Sequence, residues 1–142
     1  MGRRVILLLS AMATMVVVSA GAALAVSATF TDMDDNCAGT ATTGDDQLAM
    51  GGGNDFCEGL RGHDWIFGDH GDDDLFGNSG NDALFGGTGT DVAAGGFGND
   101  YVNVSDNVSG NDEIDCGPGA DKAVKDVGDF STGCDGNVTV VP

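Results

Sequence analysis

Seven aspartates recur at intervals of nine residues: Asp46, Asp55, Asp64, Asp73, Asp82, Asp91 and Asp100. Each has a glycine two residues before it, at Gly44, Gly53, Gly62, Gly71, Gly80, Gly89 and Gly98. Carboxylates are hard oxygen ligands, and a row of them held in register requires a cation. Two residues after each Asp comes a small or apolar side chain: Leu48, Cys57, Ile66, Leu75, Leu84, Ala93 and Val102. A nine-residue unit buries such a side chain only by stacking on copies of itself, so the period predicts a solenoid that lines the carboxylates up.

Written from its first position, the unit is G-G-x-G-x-D-x-U-x, with U apolar. Residues 59–67, 68–76, 77–85, 86–94 and 95–103 follow it without a gap, and 41–49 and 50–58 precede them with weaker first positions. Glycine at position four suits a turn that needs positive φ or close backbone approach. The last three positions leave room only for a short strand, its middle side chain facing one way and its neighbours the other. Each unit therefore predicts a turn followed by a strand. After Asp100 the register slips by three: Gly110-Asn111-Asp112-Glu113-Ile114 resumes the pattern twelve residues on, and Gly119-Ala120-Asp121-Lys122-Ala123 follows at nine. Val104 to Ser109 reads as a loop inserted into one turn, which solenoids tolerate. The alternative is a stack that ends at Val102.

The 142 residues fit one domain, with 5 basic residues against 23 acidic ones, 21 of them Asp, and a net charge of −18. Such a surface repels nucleic acid and anionic membranes, leaving cations or basic partners. With 25 Gly and nine aromatic residues there is little material for a wide core. Residues 1–28 differ in kind: Arg3 and Arg4, an apolar run from Val5 to Val18, then small residues around Ala23-Leu24-Ala25 and Val26-Ser27-Ala28. That is the order of a secretory signal peptide, cut after Ala25 or Ala28, so the mature chain is expected to be secreted and free of the membrane. Without it 3 basic and 23 acidic residues remain, or −20. An uncleaved anchor is the competing reading, since apolar character reaches Val26.

Four cysteines in an exported chain of this size predict disulfides, with three pairings open. Cys37 and Cys57 lie at the start of the repeats and Cys116 and Cys134 at their end. The local pairs Cys37–Cys57 and Cys116–Cys134 are favoured because they would staple the two ends of the stack. Each closes a loop of about 20 residues, worth about 3 kcal/mol in the chain-entropy view. Cys57 as a small buried residue is the competing reading. Residues 29–40 are then an N-terminal cap, 41–124 the repeats, and 125–142 a C-terminal cap without repeats, where Val138 to Val141 is a candidate capping strand.

The repeats resemble the calcium-binding nonapeptide repeats of the RTX (haemolysin-type) family over roughly residues 41 to 124. The resemblance implies an all-β parallel β-roll, two repeats per coil, with glycine and aspartate turns along both edges and an ion between turns of successive coils. It places Asp46, Asp64, Asp82 and Asp100 on one edge and Asp55, Asp73 and Asp91 on the other. Coils stack at about 4.8 Å. Two carboxylates about 5 Å apart repel by about 0.8 kcal/mol in water and about 3 kcal/mol at an effective dielectric of 20. A divalent ion between each pair reverses that sign. Calcium suits flexible turns rich in oxygen better than magnesium, and the lack of recurring His or Cys disfavours zinc.

Seven repeats in register imply five sandwiched Ca2+ sites, and Asp112 and Asp121 add up to two. At calcium tenfold above its dissociation constant each contributes about 1.4 kcal/mol, so five supply about 7 kcal/mol, comparable to a domain's whole stability. Folding is therefore expected to depend on calcium. Extracellular modules bind in the range of about 0.1 to 1 mM, so the chain would order after export. Many relatives in this family are large toxins, proteases or lipases without an N-terminal signal, and neither activity transfers to this chain.

Other constellations are weaker. Asp32, Asp34 and Asn36 imitate the start of an EF-hand loop, but Cys37 and Thr43 stand where Gly and Glu are needed. His63 and His70 read as solvated turn residues. Phe67, Phe76 and Phe85, at position nine of successive repeats, read as one stacked ladder. The chain is expected to be a calcium-binding protein and not an enzyme. A calcium-dependent module binding a cell-surface glycan, a protein or another copy is the second expectation, and a haemolysin or hydrolase the third.

Overall fold

A computed structural model describes residues 14–19, 24–135 and 137–142. All regular structure among them is β, and no described helix is long and apolar enough to cross a membrane. Of the predicted leader, residues 1–13 and 20–23 lie outside the described residues. Its remainder forms β1 (Thr14–Ser19) and β2 (Leu24–Thr29), paired antiparallel.

The repeats supply one strand each: β3 (Gln47–Ala49), β4 (Phe56–Glu58), β5 (Trp65–His70), β6 (Asp74–Ser79), β7 (Ala83–Thr88), β8 (Val92–Phe97) and β9 (Tyr101–Asn103). Beyond them come β10 (Glu113–Asp115), β11 (Lys122–Asp126), β12 (Phe130–Thr132) and β13 (Val138–Val141). Successive strands alternate between two parallel sheets. One runs β2-β3-β5-β7-β9-β11-β13 with β1 outside β2, and the other runs β12-β10-β8-β6-β4. Gln47 pairs with Trp65, Trp65 with Ala83, and Ala83 with Tyr101, an offset of two repeats, so two units wind one coil of a β-roll. The middle strands are longer than the three residues expected, because pairing continues into the turn, as at His70↔Thr88 and Ser79↔Phe97.

The stack does not end at Val102. Tyr101 pairs with Lys122 and Val92 with Glu113, so the insertion lengthens one turn and both sheets keep their register across it. Beyond residue 124, β12 and β13 pair with β10 and β11. The core is one line of side chains between the sheets. Leu48, Ile66, Leu84 and Val102 come from one sheet and Cys57, Leu75, Ala93 and Ile114 from the other, all without exposure. Each large one contributes about 1.5–3 kcal/mol by leaving water.

The ladder expected of three phenylalanines is corrected by this winding. Phe67 and Phe85 stack at 4.9 Å, in contact with Trp65 and, through Phe85, Tyr101. Phe76 belongs to the opposite sheet, where it meets Phe56 at 5.5 Å. Side chains nine residues apart are half a coil apart and cannot stack. Disulfides join Cys37 to Cys57 and Cys116 to Cys134, and both pairs bridge neighbouring coils at a Cα–Cα distance of 5.0 Å.

Candidate metal centre

Each coil turns twice. The turns leading into the larger sheet carry Asp46, Asp64, Asp82, Asp100 and Asp121, and those leading into the smaller carry Asp55, Asp73, Asp91 and Asp112. All nine are at least 96% buried, in a chain region where unpaired carboxylates are costly. One oxygen of each is accounted for. Oδ1 of Asp64, Asp73, Asp82 and Asp100 accepts the backbone N–H of the Asp 18 residues earlier, at 2.8 to 3.0 Å with Asp91 included. Asp112 and Asp121 accept from Asp91 and Asp100 across the insertion, both at 2.8 Å.

The second oxygen has no such partner. Oδ2 of Asp55, Asp64, Asp73, Asp82, Asp91, Asp100, Asp112 and Asp121 is buried and makes no hydrogen bond. The first turns differ. Oδ2 of Asp46 accepts from the N–H of Thr42 at 2.6 Å, and Oδ2 of Asp35 accepts from the N–H and hydroxyl of Thr31 at 2.9 and 2.7 Å. Asp46, read from the sequence as equivalent to the others, therefore stands apart from them. A threonine at position two satisfies its carboxylate from within the turn.

Glycine at position one lets the orphaned oxygens lie where they do. A Cβ on Gly68 would come within 2.2 Å of Asp73 Oδ2 and 2.4 Å of the Gly86 carbonyl, and one on Gly77 within 2.5 Å of Asp82 Oδ2 and 2.6 Å of the Gly95 carbonyl. A carboxylate oxygen from one turn and a carbonyl oxygen from the next coil thus converge beside a glycine that has no side chain to intervene. Gly95 repeats this with Asp100 Oδ2 at 2.6 Å and the Cys116 carbonyl at 2.7 Å, while Gly59 and Gly86 face Oδ2 of Asp64 and Asp91, both at 2.4 Å. Position four does a different job. Gly53, Gly62, Gly71, Gly80, Gly89 and Gly98 hold φ between +113° and +151°. A Cβ on Gly62 would meet the Gly44 carbonyl at 2.3 Å, and one on Gly80 would meet that of Gly62 at 1.4 Å, so these glycines set the close stacking of turns.

Position five, left as variable in the sequence motif, carries a second ladder of opposite direction. Asp45, Asn54, His63, Asp72, Asn81 and Asn99 each accept the N–H of the position-five residue in the next coil, at 2.8 to 3.0 Å. The recurrence of Asp and Asn there was the available signal. Asp129 was also missed. It lacks the nine-residue spacing, yet its Oδ1 accepts from Gly110 and Asn111 at 2.9 and 3.2 Å and closes the last turn of that edge.

Burial dominates the electrostatics of the ladder. It raises the Asp55, Asp91 and Asp100 carboxyls to about 6 and those of Asp64 and Asp112 to about 7. The N–H bond to Oδ1 opposes the shift, and neighbouring carboxylates add to it. Asp73 and Asp82 move up for the same first reason.

Among the described residues no three His, Cys, Asp or Glu side chains form a metal cluster. His63 and His70 lie on opposite edges, His63 Nδ1 accepting from Asn81 N–H and His70 Nδ1 sharing a hydrogen bond with Thr88 Oγ1 at 2.9 Å. What the edges present instead is one anionic oxygen per turn with main-chain carbonyls around it. This all-oxygen set fits a hard divalent cation of flexible coordination and does not fit zinc.

Residues 50–84 and 76–106 match the family model of the RTX calcium-binding nonapeptide repeat, in 4 copies. Residues 50–106, which hold Asp55, Asp64, Asp73, Asp82, Asp91 and Asp100, thus carry RTX calcium-binding repeats. No curated protein matches the chain. No solved structure matches it either.

Proposed function

We propose that this RTX-repeat β-roll is an exported calcium-binding protein, without catalytic activity, whose ordered state is maintained by ions held between turns from Asp55 to Asp121. The observation that carries the proposal is the contrast along the edges. Asp46 has hydrogen bonds to both oxygens, from Val26 to Oδ1 and from Thr42 to Oδ2, whereas eight later carboxylates each keep one buried oxygen without a donor. A buried anionic oxygen of that kind costs several kcal/mol unless positive charge is supplied. Calcium supplies two positive charges and accepts more oxygens than one turn offers.

The protein's own part is positioning. The Oδ1 hydrogen bonds aim each carboxylate, position-one glycines clear the space beside Oδ2, and position-four glycines bring the next turn's carbonyls close. Two local disulfides favour an oxidising compartment, and the net charge of −18 supports a cation as the principal partner. The separation of His63 from His70 supports a binding role over catalysis.

The test is a titration of purified protein from chelator into millimolar calcium, followed by circular dichroism with magnesium as control. Gain of β signal with calcium alone is expected. A spectrum indifferent to calcium would reject the proposal.

A further inference from the structure

The predicted leader offers two cleavage points, and the first coil distinguishes them. Strand β2 runs alongside β3, with Ser27 opposite Gln47 and Ala28 opposite Leu48. Val26 and Ala28 are 2% and 3% exposed and belong to the same core as Leu48. The nitrogen of Val26 donates to Oδ1 of Asp46 at 2.6 Å. That is the contact Asp46 N makes to Asp64, and Asp64 N to Asp82, on later coils, so Val26 supplies the first rung of this edge. An open cleft lined by Ala25, Val26, Asp45, Asp46 and Trp65 lies at this point.

Cleavage after Ala28 would remove Val26 and Ala28 from the core, uncover Leu48 and take the donor away from Asp46. Cleavage after Ala25 would keep all three. It would also turn the Val26 nitrogen from an amide into an ammonium facing a buried carboxylate, a stronger, charge-assisted hydrogen bond.

We infer that the Ala25–Val26 bond is the maturation site, and that the new α-ammonium of Val26 docks on Asp46 as the cap of the roll. The inference rests on the export reading given above. The step is a hydrolysis by a leader peptidase that recognises small side chains, here Ala25 and Ala23 at the first and third positions before the cut. Water adds across the C–N bond. Its hydroxyl stays on the Ala25 carbonyl carbon, which becomes a carboxylate, and the Val26 nitrogen leaves as an amine that takes up protons. Nothing is oxidised or reduced. Removal of β1 with the leader leaves β2 as the edge strand, a short one, as exposed sheet edges generally are.

The full chain is to be expressed in a secreting bacterial host and the product in the medium analysed by intact mass and N-terminal sequencing. A chain beginning at Val26 is expected, and one beginning at Thr29 or elsewhere overturns the inference. A leader retained on cell-bound protein would instead defeat the export reading on which it depends. Independently, chains released from a fusion so as to start at Val26 or at Thr29 are melted in the same calcium buffer. The Val26 form is expected to melt higher, and equal melting would overturn the capping role.

Discussion

Asp64 donates its backbone N–H to Oδ1 of Asp82 at 2.8 Å, across 18 residues, while Oδ2 of the same Asp82 is buried and has no donor. One carboxylate therefore has a structural oxygen that ties two coils together and a second oxygen committed to nothing in the protein. Replacing Asp by Asn at such a position keeps an acceptor for the first and removes the charge from the second, which separates the two roles.

Asp73→Asn is accordingly expected to fold in calcium but to bind fewer ions by calorimetry, with a stability loss of about 1.4 kcal/mol at calcium tenfold above the dissociation constant. Asp46→Asn is expected to leave the ion count unchanged, because Thr42 already occupies its second oxygen. Equal loss of ions in both variants would contradict the assignment of binding to the turns from Asp55 onward.

Position-one and position-four glycines are expected to fail differently. Gly80→Ala places a carbon 1.4 Å from the Gly62 carbonyl at φ +151°, and should cost about 3 kcal/mol or more, with or without calcium. Gly77→Ala crowds Asp82 Oδ2 and should weaken calcium affinity foremost. Gly39→Ala has open space and only an αL penalty of about 1–2 kcal/mol. Calcium titrations of the three variants, each followed by thermal melts, would rank them.

The raised carboxyls dictate the pH response. Asp55, Asp64, Asp91, Asp100 and Asp112 hold their protons up to about 6 or 7 in the fold, against an ordinary 3.8 when unfolded. A folded-state pKa above the unfolded one favours the fold below the unfolded value and loses that contribution as pH rises towards the folded value. In chelator, the β signal should therefore be greater near pH 4 than at pH 8. Calcium requires the deprotonated form, so its apparent affinity should fall as pH drops from 7 to 5, with protons released on binding. Affinity independent of pH across that range would contradict this account of the ladder.

The two disulfides lie at opposite ends of the roll, so their effects should add. Replacing Cys37 and Cys57 by Ala should cost about 3 kcal/mol, replacing Cys116 and Cys134 a similar amount, and each should fray its own end. Amide exchange measured in calcium would locate the loss.

Much of this architecture was legible in the chain. The nine-residue period dictates stacking, because Leu48, Ile66, Leu84 and their counterparts have no other way out of water, and the type of ligand follows from the recurrence of Asp without His or Cys. Cysteine position marked the ends. What stayed hidden depends on contacts between residues 18 apart: that Phe76 leaves Phe67 and Phe85 for the other sheet, that Asp129 continues an edge without the spacing, and that position five runs a ladder counter to position six. Local periodicity reports which side chain is buried in a unit, but not which atom of the next coil it meets. The winding of two repeats per coil decided that, and with it which oxygen of each aspartate is spent on the backbone and which is left for a cation.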